Sequence, residues 1–294
     1  MKPQIIAFGL SGLVGSRIEE LLSDKYEFVG LSTSNGVDIT KPETLISIKD
    51  YKDASFVLHL AAKTNVDSCE LDKDLGEQGE AWRVNVLGPK NVAEVCRETG
   101  KKIIYVSTDF VFDGEKPEGD SYDEEDIPNP INWYAKTKYE GERVVERSGA
   151  DYAILRIAYP YRAESDKRGD FSRSIKEKLI NGESVKAVTD HVFCPTFIDD
   201  LVPVIKELIS IDAVGIYHAV GGQALSPYDA AILIAQTFDF DLRLINPITR
   251  EEFFKGSAPR PFNLELNNGK IGKLGIRMRS FKEGIGESKN QLNP

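Results

Sequence analysis

A short apolar run, Ile5-Ile6-Ala7-Phe8, ends in Gly9-Leu10-Ser11-Gly12-Leu13-Val14-Gly15, and residues 16–22 then carry apolar side chains at helical spacing. Strand, glycine turn and helix in that order commit the N-terminus to a βα unit, because only glycines let the backbone turn this tightly and approach a ligand closely. The helix start offers free amides and the positive end of its dipole to an anion. Gly9, Gly12, Leu13, Val14 and Gly15 are therefore a candidate cradle for a dinucleotide pyrophosphate. The spacing is G-x-x-G-x-x-G, unlike the G-x-G-x-x-G of most dinucleotide dehydrogenases.

The same alternation continues. Residues 28–31, 56–62, 101–106 and 152–157 read as further strands, with helical periodicity between them at 82–93 and around Tyr134. Regular alternation predicts right-handed crossovers and an α/β fold, a doubly wound, Rossmann-like parallel sheet covered on both faces. Past residue 158 the pattern loosens into a helix at 172–179, a strand at 184–188, a turn into a helix ending at 208, a strand at 216–220 and a capped helix start at Ser226-Pro227. Residues 1–158 are expected to form the dinucleotide-binding domain. Residues 159–294 are expected to form mainly a smaller substrate-binding lobe, with some segments returning to the first domain.

Several positions follow the expected path of a dinucleotide. NAD-specific sites place an acidic residue after the second strand to bind ribose hydroxyls; here the residues are Ser32-Thr33-Ser34-Asn35. No carboxylate repels a 2′-phosphate at Ser32 and no arginine clamps one, so the cofactor is NADP(H) or NAD(H), with a lean to NADP(H). Asp38 and Ile39 fall near the adenine, although Asp38 reads equally as a helper for a helix beginning near Pro42. Leu60, Ala61 and Ala62 close the third strand in residues that let a cofactor pass near the backbone, and Thr64 lies just beyond. Asn85 has two readings, a water-mediated support for a catalytic lysine or a local cap.

The chemistry concentrates in two short stretches. Ser107-Thr108-Asp109 ends the strand at 101–106, and ligands of open parallel sheets lie beyond such strand ends. Tyr134 and Lys138 stand four apart, on one face of a helix. A tyrosine with a pKa of about 10 exchanges protons poorly at neutral pH. A lysine cation beside it is expected to favour the phenolate and lower that value, with the Thr108 hydroxyl bonding the oxygen to be protonated. The acidic, proline-containing segment 115–130 reads as a lid or as a solvated surface loop.

Composition narrows the partners. A formal net charge of -10 over 294 residues argues against wrapping nucleic acid or lying on an anionic membrane. No apolar run approaches the ~20 residues that cross a bilayer, and no leader is apparent, so the expected location is cytoplasmic. Cys69, Cys96 and Cys194, like His59, His191 and His218, are scattered without metal-ligand or disulfide spacing. No metal is expected. His59, within Val57-Leu58-His59-Leu60, reads as a core or edge residue.

Taken together, Gly9-x-x-Gly12-x-x-Gly15, the run from Ser107 to Gly114 and Tyr134-x-x-x-Lys138 resemble the extended short-chain dehydrogenase/reductase superfamily. Within it, the chain is similar to the dTDP-4-dehydrorhamnose reductases and related sugar-nucleotide reductases. The run from Tyr134 to Glu142, Cys194-Pro195-Thr196 before Asp199-Asp200-Leu201, and Ala258-Pro259-Arg260-Pro261 carry the same likeness. The resemblance implies a catalytic trio of Thr108, Tyr134 and Lys138, with Tyr134 and Lys138 also on the cofactor, Lys138 at the nicotinamide ribose, and Ser107 beside it. It implies sugar contacts from Thr108, Asp109 and Tyr159, and it leaves Arg260 as either a clasp for a substrate diphosphate or a surface arginine. Tyr159 stands where those reductases tend to carry tryptophan, which leaves the hexose open. The implied activity is NAD(P)H-dependent reduction of a nucleotide-linked 4-keto-6-deoxysugar, with a homodimer left open. Two rivals stand beside it: a sugar-nucleotide 4-epimerase with tightly held NAD, and a non-catalytic subunit such as the regulatory subunit of methionine adenosyltransferase.

Overall fold

Six parallel strands form the central sheet of the computed structural model, which describes residues 2–164 and 169–292. Along the chain the strands are β1 (Gln4–Phe8), β2 (Glu27–Leu31), β3 (Ala54–His59), β4 (Lys102–Thr108), β5 (Tyr152–Ile157), β6 (Val185–Val188), β7 (Val192–Phe193), β8 (Gly215–His218), β9 (Ile245–Ile248) and β10 (Asn263–Leu264). The sheet order is β2-β1-β3-β4-β5-β8, while β6 pairs with β9 and β7 with β10 in two small parallel ribbons. The order reverses at β1, so the crevice between β1 and β3 at their carboxyl ends is the switch point where such sheets bind ligands.

The helices are α1 (Leu13–Leu22), α2 (Val66–Glu70), α3 (Glu80–Trp82), α4 (Gly88–Thr99), α5 (Trp133–Glu146), α6 (Phe171–Ile180), α7 (Leu201–Ser210), α8 (Pro227–Phe238), α9 (Arg250–Phe253), α10 (Gly269–Gly272) and α11 (Phe281–Leu292). Ile18 and Leu22 of α1 and Val204, Ile205 and Leu208 of α7 pack on one sheet face, over Ile5, Leu58, Ile104 and Leu155. Val92 and Cys96 of α4 and Val145 of α5 cover the other, over Ile6, Phe8, Val57, Ile103 and Ile154. Both faces are therefore covered, which is why β4 is apolar along most of its length rather than alternating.

Several boundaries differ from the sequence reading. α1 begins at Leu13 rather than residue 16, because Gly12 adopts the extended conformation of an N-cap (φ -78°, ψ 178°) and the glycine turn itself launches the helix. β3 stops at His59, since Gly9, at φ 79°, packs against the backbone just beyond it: a Cβ there would lie 2.7 Å from the Ala61 nitrogen. The helix from Pro42 is a 3-10 helix, Pro42–Asp50, and the polar stretch after residue 63 contains α2 and α3. β7, β9, β10 and α9 to α11 had no periodic signal long enough to read.

Segment 115–130 is the surface loop and not the lid. Tyr122 bridges to Leu266, and the Asn263 amide donates to the carbonyls of Lys116, Pro117 and Asp120, which pins the segment to the C-terminal part of the chain. None of its residues reaches the cavity described next. His59 is fully buried between Phe8 and Tyr105, a core residue. Among the described residues, no helix is long and apolar enough to cross a membrane.

Candidate active site

One cavity of about 680 Å³ opens at the carboxyl ends of β1, β3, β4 and β5. Gly9, Gly12, Leu13, Val14 and Gly15 line one end of it, and Leu60, Ala61, Ala62, Thr64 and Ser107 continue the wall. The first turn of α1 has neither a side-chain cap nor an acidic residue, so its amides are open to an anionic ligand. A side chain on Gly15 would run into the backbone of Gly9 and Leu10, at 2.6 and 2.7 Å. The Ser107 hydroxyl is buried with no partner among the described residues, and a buried orphan of this kind suits a ligand group. These residues fit a dinucleotide.

Three residues expected at the adenine end do not join the cavity wall. Ser32 is occupied as a cap: its amide donates to the Asn35 side chain at 2.8 Å and its hydroxyl lies 2.7 Å from that of Ser34. The Asp38 carboxylate accepts from the Thr40 amide and hydroxyl at 2.9 and 2.8 Å, a local turn that lowers its pKa. Ile39 is buried against Gly88, and its carbonyl accepts from Asn91. Local turn bonds hold Ser32 and Asp38, and core packing holds Ile39.

The other end of the cavity holds the candidate chemistry. Asn132 caps α5 through the Ala135 amide, and the helix then presents Tyr134 and Lys138 to the same space as Thr108 and Asp109 from the end of β4. The Lys138 ammonium donates to the Tyr105 hydroxyl at 2.7 Å and to the Val106 carbonyl at 2.8 Å. Burial pushes its pKa down to about 7, with Glu142 acting upward. The expectation that Lys138 would make Tyr134 acidic is overturned: burial drives the phenol well above its ordinary value, and the group acting downward is Thr108. Loss of hydration penalises a phenolate here more than its neighbours stabilise it. Tyr134 therefore holds its proton at neutral pH.

Asp109 is equally enclosed. Its Oδ1 accepts from Thr108 at 2.9 Å, while Oδ2 has no partner among the described residues. Burial raises its pKa from 3.8 to about 7, against the opposing Thr108 bond. The folded protein then binds this proton more tightly than the unfolded chain, so the associated stability is full below about pH 4 and is lost as pH rises through about 7. Asp109→Asn removes that loss. About 3 units correspond to about 4 kcal/mol, and an unpartnered amide costs about 2 kcal/mol in return. The variant should be about 2 kcal/mol more stable at pH 8 and no more stable at pH 4, as read by urea denaturation; equal stability of the two proteins at both pH values would disprove the assignment.

Beyond Asp109 the wall turns aromatic. Tyr159, held at φ 38°, packs edge-on to Phe110, Phe171 and Phe193, and its hydroxyl lies 3.5 Å from Nε2 of His191. His191 in turn is bonded through Nδ1 to the Pro261 carbonyl at 2.8 Å. Arg260 lines the cavity but is no free surface cation: it makes two 3.0 Å bonds to Asp67 and stacks on Phe254 at 4.8 Å. Asn85 lies in a π-helical turn, Arg83–Leu87, where it bonds both the amide and the carbonyl of Lys63 and donates to Thr137. It thus clasps the loop after β3 to α5, a longer-range role than the expected local cap. Tyr105, Phe171, Phe254 and Asp67 complete this region; each reaches it through tertiary packing that no local motif announces.

The family described as the RmlD substrate binding domain matches residues 1–293. The chain belongs to it. A dTDP-4-dehydrorhamnose reductase of Aggregatibacter actinomycetemcomitans is 32% identical over 96% of this chain and 97% of its own length. Methionine adenosyltransferase 2 subunit beta of Xenopus laevis is 31% identical over 95% and 85%. Among solved structures, the dTDP-4-dehydrorhamnose reductase of Bacillus anthracis in complex with NADP superposes with a TM-score of 0.89, at 29% identity, covering 99% of this chain and 100% of that one. The RmlD family fold is thus the extended short-chain dehydrogenase/reductase fold that the glycine turn and Tyr134-x-x-x-Lys138 implied.

Proposed function

We propose that this chain is an NAD(P)H-dependent reductase of a nucleotide-linked 4-keto-6-deoxysugar, of the dTDP-4-dehydrorhamnose reductase type. The observation that carries the reading is the convergence of Thr108, Tyr134 and Lys138 with the glycine turn on a single cavity. The cofactor, when bound, supplies the hydride. The amides of Gly12 to Val14 hold its diphosphate, and Lys138 holds its ribose hydroxyls. Tyr134, protonated at neutral pH, gives its phenolic proton to the sugar oxygen as that oxygen gains charge, and Thr108 orients the same oxygen. Asp109 and Tyr159 bound the sugar. Arg260, held by Asp67 and the Ala258 carbonyl, places its positive charge beside the diphosphate of the substrate. We assign residues 1–158 to the cofactor and 159–294 mainly to the substrate, with α7 and β8 packing back onto the first sheet.

Incubation with NADPH, then NADH, against a panel of nucleotide-linked 4-keto sugars tests this reading through loss of reduced-nicotinamide absorbance. Consumption dependent on a 4-keto-6-deoxysugar is the expected result. A second reading, a subunit role, is favoured by the relatives named methionine adenosyltransferase 2 subunit beta. It would be signalled by a stoichiometric protein partner and no consumption with any sugar of the panel.

A further inference from the structure

The bond between Lys138 and the strand beneath it is not explained by helix geometry. Lys138 is 2% exposed and Tyr105 fully buried, and the Tyr105 hydroxyl has no other hydrogen-bond partner among the described residues. Its ring belongs to the core cluster of Ile6, Val92, Ile103 and Ile154, and the Lys138 ammonium lies 4.2 Å from the ring centroid, contacts that a phenylalanine would keep. The hydroxyl is the only polar group that the residue adds there. A glycine in mid-helix, Gly141, keeps room on that side: a Cβ at that position would run first into the Asn85 carbonyl and then into the Tyr105 oxygen, at 2.5 Å. Glycine within a helix costs about 1 kcal/mol relative to alanine, so the close approach of α5 to both Asn85 and Tyr105 is bought at a local loss of stability.

We propose that Tyr105 is a positioning residue for Lys138, its hydroxyl accepting from the ammonium and holding it against the cavity wall in its charged form. The inference deepens the proposed function and rests on it for the catalytic consequence. The groups facing Lys138 are few: Tyr105 from β4, His59 from β3, and Tyr134 and Glu142 from its own helix. Burial holds His59 neutral, its pKa lowered to about 3, and Tyr134 keeps its proton. Glu142 is engaged by Arg156 in two bonds, at 3.0 and 2.7 Å. Tyr105 and the Val106 carbonyl are thus the direct acceptors of the ammonium. A hydrogen bond is stronger to the ammonium than to the neutral amine, so loss of the hydroxyl lowers the pH at which Lys138 gives up its proton.

The test is a titration of Lys138 in protein carrying lysine labelled with ¹³C at Cε, its signal assigned by its loss in Lys138→Met. In Tyr105→Phe the midpoint is expected to fall by roughly half a unit or more. Turnover of the 4-keto sugar at pH 7 is expected to fall about tenfold, its alkaline limb moving in the same direction, with the cofactor KM within about threefold. An unchanged midpoint overturns the proposal, whatever the turnover. If Tyr105→Phe does not fold, 3-fluorotyrosine at position 105 weakens the same acceptor without removing it and should lower the midpoint by less. Wild-type protein that consumes no cofactor with any sugar nucleotide would overturn the proposed function instead, leaving the titration to decide on Tyr105.

Discussion

Tyr134→Phe is expected to lower turnover of the 4-keto sugar by 10²- to 10⁴-fold, the usual contribution of a positioned general acid. That range corresponds to about 3–5 kcal/mol of transition-state stabilisation. Cofactor affinity should stay within about twofold, because the substitution removes one oxygen and keeps the ring edge-on to Phe110 at 6.1 Å. The glycine turn, Leu60 to Ala62, Thr64 and Lys138, which line the cavity, are untouched. Steady-state rates and direct titration with NADPH separate the two effects. A variant retaining more than a tenth of wild-type turnover would remove Tyr134 from the chemistry.

Glu142→Ala should be the most destabilising of the substitutions considered, by about 3–5 kcal/mol. Glu142 on α5 and Arg156 on β5 are each 1% exposed and joined in a bidentate pair. Arg156 also lies over Phe112 at 5.0 Å and within 3.3 Å of His218 Nε2. Truncation of the glutamate would leave a buried guanidinium with no carboxylate. Glu142→Gln keeps the shape and one acceptor and should lose less. Because α5 carries Tyr134 and Lys138, the pair also fixes the angle at which both enter the cavity. Urea denaturation provides the comparison, and a loss below about 1 kcal/mol in the alanine variant would show that the pair does not anchor the helix.

The features legible in the sequence were those whose signal is local. The glycine turn after β1, the strand ends at Leu60 to Ala62 and Ser107 to Asp109, and the i, i+4 spacing of Tyr134 and Lys138 depend on a few neighbouring residues, and the fold brings all of them to one cavity. The state of Tyr134 was not legible, because spacing gives direction and says nothing of hydration: Lys138 shares the helix face but bonds Tyr105, and burial controls the phenol. Ser32 and Asp38 were read by analogy with other dinucleotide sites, and their short-range turn bonds took precedence. Arg260 could not be paired with Asp67 across 193 residues of chain by any periodicity. β7, β9 and β10 are likewise strands of two to four residues whose existence depends on distant partners.

In the proposed reaction, hydride passes within this cavity from a nicotinamide to the carbonyl carbon of a nucleotide-linked sugar. This transfer is tested most directly with NADPH deuterated at both C4 positions of the nicotinamide, followed by NMR of the sugar product. One deuterium per turnover is expected, located at sugar C4, with solvent supplying the hydroxyl proton through Tyr134. A reduced sugar carrying only protium at C4, or a sugar inverted at C4 with no net consumption of NADPH, would contradict it.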